Sequence, residues 1–180
     1  MSWLFITLLS AFCLASADAV TKKYLSDYRA DALVVIRFTM PGILVLPLLI
    51  YTGIPKLELA FWGWVALVIP LEIVAMTLYS QAIRDTSLAL TLPYFAFTPV
   101  FNILPGYLIL GEQVALMGVM GILLVVAGAW LLNVEHAKGG DYFDVIAPFK
   151  AIVRERGSRL MLMAAMIYSV AAVIGKAALA

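Results

Sequence analysis

The sequence predicts an all-α integral membrane protein, a polytopic helical bundle of about six transmembrane helices. Three observations carry this. Hydrophobic residues make up 64% of the 180 positions, against about 45–50% in soluble domains. Charged residues make up only 13%, about half the usual share. The apolar residues also fall in six stretches, each close to the ~20 residues that cross a hydrocarbon layer as a helix. A mean hydropathy of +1.04 is more than a soluble fold of this size hides from water. The stretches lack the two-residue alternation of barrel strands. In lipid that leaves helices, whose backbone satisfies itself.

The elements follow in order. The first stretch runs over 3–20 and is followed by Lys22 and Lys23. Ala15-Ser16-Ala17 looks like a cleavage site, but no basic residue precedes the stretch, so it reads as a retained helix. The second, 32–51, opens on Arg37-Phe38, and the third, 60–83, carries Pro70 and Glu72. Pro93, Pro99 and Pro105 fall in the fourth, 88–110. Gly118, Gly121 and Gly128 line one face of the fifth, 114–132, and the sixth runs from 160 to the end. The chain therefore divides into a five-helix unit over 1–133, a connection over 134–158 and one further helix over 159–180. In the connection Ile146, Phe149, Ile152 and Val153 recur at helical spacing around Lys150 and Arg154. That pattern suits a short helix on anionic headgroups, or else a solvated linker.

Composition excludes other classes. A net charge of +1 offers no field to grip nucleic acid. One cysteine, Cys13, and one histidine, His136, supply neither a disulfide framework nor a Cys/His zinc cluster. No phosphate-binding glycine loop or nucleophile elbow is present, so no enzyme, cofactor or metal is expected. Cys13 reads as a core thiol.

Orientation follows from the basic residues. Lys22, Lys23, Arg29, Arg84, Lys138, Lys150, Arg154, Arg156 and Arg159 fall on one side, called side B. Lys56 falls on the side of the N-terminus, side A, with Lys176 near the far end of the sixth helix. The bias puts side B in the cytoplasm and the N-terminus outside. There is also an internal echo. Ala11, Ser16, Ala19, Val20 and Lys23 match Ala164, Ser169, Ala172, Val173 and Lys176 at a constant offset of 153. Five helices separate the two starts, so a second copy would begin from the opposite face, as in inverted-repeat transporters.

The run Ala82-Ile-Arg-Asp-Thr-Ser-Leu-Ala-Leu-Thr-Leu-Pro93, then Pro99-Val-Phe-Asn102, then Leu110-Gly111-Glu112, then Gly121 and Gly128, resembles the EamA-type family of the drug/metabolite transporter superfamily. Arg37-Phe38 resembles it too. The resemblance covers one five-helix repeat and the start of a second. It implies a carrier of small metabolites across the inner membrane, usually of ten helices, so this chain is without the last four. It also implies an N-terminus inside the cell, whereas the charge count puts it outside.

Several residues are candidates for the solute or proton pathway. Glu72 lies mid-helix, where a charged carboxylate costs roughly 2.5–3.5 kcal/mol on the insertion scale for Asp. There it can carry a proton, or else fix packing. Arg37, about 9 Å into the second helix, either snorkels to headgroups or reaches inward to Asp18 or Glu72. Asp18 is in the path or simply interfacial. Pro93, Pro99 and Pro105 bend the fourth helix, beside a cavity or within tight packing. Asn102, Tyr79, Gln81 and Tyr94 are candidate polar lining. Gly118, Gly121 and Gly128 are read as a packing face, inside the repeat or against a second copy. Glu112 is read as structural, at the N-terminal dipole of the fifth helix. The expectation is a secondary transporter, or half of one, in a multi-pass inner-membrane setting. Its partners would be lipid, a small solute, and either a second copy or a missing C-terminal half. The alternative is a non-transporting scaffold or remnant.

Overall fold

The computed structural model describes residues 2–53, 57–136 and 155–179. Residues 137–154 of the connection, with the positions read as a surface helix or linker, lie outside them. The described residues form helices: α1 Ser2–Tyr24, α2 Ala30–Thr52, α3 Leu59–Asp85, α4 Leu88–Phe95, α5 Thr98–Leu110, α6 Leu116–His136 and α7 Arg156–Ala178. Five spans are long and apolar enough to cross a membrane: α1, α2, α3, α4 with α5 taken together, and α7. The described apolar part of α6, Leu116–Leu131, is shorter.

The fourth stretch, expected as one bent helix, is two helices joined through Ala96 and Phe97. Proline explains both the break and its repair. Pro99 has no N–H for the carbonyl of Phe95, one turn back. The Thr98 hydroxyl donates to that carbonyl instead, at 2.5 Å. Val100 N–H then donates to the carbonyl of Phe97 at 2.9 Å, and the helix restarts. At the far end of α5, Gly111 takes a left-handed conformation, φ +67°. Its N–H donates to the carbonyl of Tyr107, and that of Glu112 to Gly106. These bonds satisfy carbonyls that the helix end leaves open.

The core sits where α7 runs antiparallel along α3 and against α4 and α5. Gly157 at the start of α7 meets Thr86 just past α3, while Tyr168, about halfway along α7, reaches Met76. Small residues let these helices close on each other in lipid, where packing rather than the hydrophobic effect drives association. Ala75 and Ala82 on α3 and Ala164, Ala165 and Ala171 on α7 are all buried. Tyr79, Ile83, Tyr94 and Met161 fill the space between. The sixth stretch, read as the start of a second unit, packs against α3, α4 and α5 among the described residues.

By contrast, α1 and α2 touch the bundle near their side B ends. The buried residues of α2 are Ala30, Leu33 and Val34, all in its first turns. On α1 they are Asp18 and Thr21, near its end. The side A halves of both helices present large apolar side chains outward, Phe5, Phe12, Leu44 and Ile50 among them. Cys13 is exposed on α1 rather than a core thiol: among the described residues, that half of the helix has no neighbour to bury it.

Candidate functional site

Three residues on three helices meet at one depth. Asp18 lies about 9 Å from the end of α1, Arg37 about 10 Å into α2, and Tyr79 about 9 Å from the end of α3, at 1.5 Å per residue. The sequence folds this way because α1, α2 and α3 alternate in direction, so their side B ends coincide. Asp18 is only 3% exposed. One carboxylate oxygen, Oδ1, accepts from Arg37 Nη2. The other, Oδ2, accepts from the Tyr79 hydroxyl at 2.5 Å. Arg37 Nη2 also lies 3.3 Å from Thr21 Oγ1, and the guanidinium packs 5.4 Å from the Tyr79 ring centre. A buried charge pair is tolerable only when its remaining groups are also hydrogen-bonded, and here Tyr79 and Thr21 supply those bonds.

One turn further on, Lys22 closes the same end. Its ammonium donates to the carbonyls of Ile83, Arg84 and Thr86 at 2.8, 2.9 and 3.0 Å. Three donors meet three acceptors at the C-terminus of α3, where a cation also suits the helix dipole. Sequence reasoning missed Lys22 as a site residue and counted it only as a loop charge. The signal available was its position one turn beyond Asp18 on the same face.

The remaining candidates divide between this junction and other places. Arg37 neither snorkels nor meets Glu72; it turns inward to Asp18. Two acceptors at its own depth outcompete a carboxylate further in. Among the described residues, Glu72 is half-buried and holds no hydrogen bond or ion pair, though it is near enough to Tyr168 to act on it electrostatically. Tyr79 joins Phe95 and Tyr168 in an edge-on aromatic cluster with ring centres 5.2–6.3 Å apart. Tyr94 is buried in the core against α7, not beside open space. Gln81 is half-buried and outside the junction. Asn102, half-buried on α5, lines a separate cavity. Of the prolines, Pro93 is buried, Pro105 half-buried and Pro99 exposed at the restart of α5.

One expectation is corrected and another narrowed. Glu112 does not cap the fifth expected helix, which begins only at Leu116; its carboxylate pairs with Lys176 at the end of α7. Gly118, Gly121 and Gly128 are exposed, so among the described residues they do not pack inside the repeat, and the face stays open to lipid or to a second copy. A Cβ added at Gly121 or Gly128 would meet no neighbour, and one at Gly118 would meet only Val114 of the preceding turn.

Apolar spans joined by short turns, a broken proline helix and a buried ionic junction describe a multi-pass membrane protein. The profile of the EamA-like transporter family matches residues 1–134. The chain belongs to the EamA-like transporter family. Its matched region spans α1 to α6 but stops short of α7, so the junction lies inside it. The family is one of transporters, not enzymes. No curated protein and no solved structure matches this chain.

Proposed function

We propose that this EamA-family chain is a secondary carrier, or half of one. It moves a small metabolite or drug-like solute across the inner membrane by alternating access, with protons as the coupling ion. The observation behind the reading is the junction of Asp18, Arg37 and Tyr79. It binds α1, α2 and α3 to one another near side B, while the side A halves of α1 and α2 have no such tie among the described residues. A carrier needs a closure at one face that can be made and broken while the other face opens. An ionic knot suits this because its bonds are discrete, so the helices have distinct tied and untied arrangements. Glu72, without a bonded partner among the described residues, is the proton carrier in this reading. The apolar faces of α1, α2 and α6 meet lipid, and in part a second inverted repeat or a second copy of the chain.

Reconstitution into proteoliposomes tests this. We expect flux of a subset of a broad metabolite panel that rises with an imposed pH gradient. No gradient-dependent flux across the panel would favour a scaffold without transport.

A further inference from the structure

A second polar place lies at the opposite end of the bundle. Between α5, α6 and α7 is a cavity of about 350 Å³, within the size range of small-molecule sites. Its walls are mainly apolar, Ile103, Ile122 and Val173 among them, and Glu112 and Lys176 stand at its lip. Asn102 lines it about 12 Å along α5 from Leu110, at 1.5 Å per residue. The Asn102 Oδ1 is buried and accepts no hydrogen bond from the described residues. An unmet amide oxygen in an apolar setting costs roughly 1–3 kcal/mol, so its place on a cavity wall calls for an explanation. No described residue bonds to that oxygen, so rotating the amide to offer it to an occupant breaks no hydrogen bond at the oxygen.

The charge balance at the lip narrows the occupant. Lys176 and Glu112 are already paired with each other, so among the described residues the mouth carries no net charge to select an ion. What is left unsatisfied is one neutral amide. We infer that this cavity is a solute subsite opening at the Lys176 end, for a small uncharged amphiphile whose hydroxyl bonds to Asn102 and whose apolar body fills the walls. The inference deepens the carrier reading by giving its solute a class. Its test measures binding without flux, so failure of the subsite and failure of transport show separately.

The sole cysteine allows a clean assay. In a Cys13→Ser background, Ala172→Cys places a thiol on the cavity wall one turn below Lys176. A membrane-impermeant methanethiosulfonate should label it, since the reagent needs water at the thiol. Four probes of similar size then compete: 2-phenylethanol, ethylbenzene, phenethylammonium and phenylacetate. 2-Phenylethanol should slow labelling at a concentration about fivefold lower than ethylbenzene, the factor one net hydrogen bond supplies. The two ions should protect no better than ethylbenzene. Asn102→Leu should remove the advantage of the alcohol while labelling of the introduced thiol continues. Asn102→Ala serves equally if leucine does not fit, because protection by ethylbenzene reports whether the cavity is intact. An unreactive Ala172→Cys overturns the open cavity. Equal protection by alcohol and hydrocarbon, or a preference that survives loss of the amide, overturns the role of Asn102. Stronger protection by either ion overturns the neutral class.

Discussion

Removing either charge of the Asp18–Arg37 pair strands the other in a place with little water, since the two side chains are 5% and 15% exposed. Asp18→Ala or Arg37→Ala should therefore cost about 3–5 kcal/mol. The apolar double variant Asp18→Leu/Arg37→Met should cost much less, because no charge is left behind. Unfolding in mixed micelles measures both, and additive losses would show that the pair is not coupled. Tyr79→Phe removes one hydrogen bond to a carboxylate, worth about 1.5–3 kcal/mol, and keeps the ring contacts with Phe95 and Tyr168. Glu72 predicts differently: none of the described residues bonds to it, so Glu72→Gln should leave folding intact and flatten the pH dependence of flux. An unchanged pH profile would make Glu72 structural. The sequence made these charges legible as candidates, because an ionised group in an apolar helix is costly wherever it points. It did not make the pairing legible. Arg37 is in axial reach of both carboxylates, and only the helix rotations decide that Asp18 is the one it faces.

Between elements, single contacts fix how helices meet. Lys22 ties α1 to three carbonyls at the end of α3. Lys22→Met should cost about 2 kcal/mol, the upper value for a cation at a helix C-terminus. It should also raise proteolysis within the α1–α2 turn, where the loosened helix ends. Gly157 has a different task. A Cβ there would fall on Oγ1, Cβ and Cγ2 of Thr86, so α7 approaches α3 only because position 157 has no side chain. Gly157→Ala should destabilise by about 1–3 kcal/mol, as overpacking does, and Thr86→Gly should recover much of the loss in a thermal aggregation assay. Proline content forecast a bend in the fourth stretch. That the bend is a full break depends on Thr98 supplying the bond that Pro99 lacks, a detail of one hydroxyl that hydropathy does not register.

Across the whole molecule, the spans and their alternation were the most legible feature, since length and apolarity alone set them. The role of the last helix was the least legible. Its sequence reads as an echo of the first, yet α1 is held by its polar end while α7 is buried along its length. The difference lies in partner faces: α3 offers Ala75 and Ala82 to a close neighbour, and no sequence pattern says which helix takes the place. Topology has its own test. The excess of Lys and Arg on side B motivates an external N-terminus, so a reporter fused after Gly140 should behave as cytoplasmic. Activity typical of the opposite compartment would invert the assignment of both faces.

The central position of α7 has a consequence for biogenesis. Chains grow at about 5–20 residues per second, so α3, α4 and α5 leave the ribosome seconds before the helix they enclose. Membrane helices insert first and associate afterwards. During that interval the faces of α3, α4 and α5 that α7 covers lack that neighbour and meet lipid or the insertion machinery instead. The bundle is then not built outward from its first helices. It waits for α7 to be delivered into its middle.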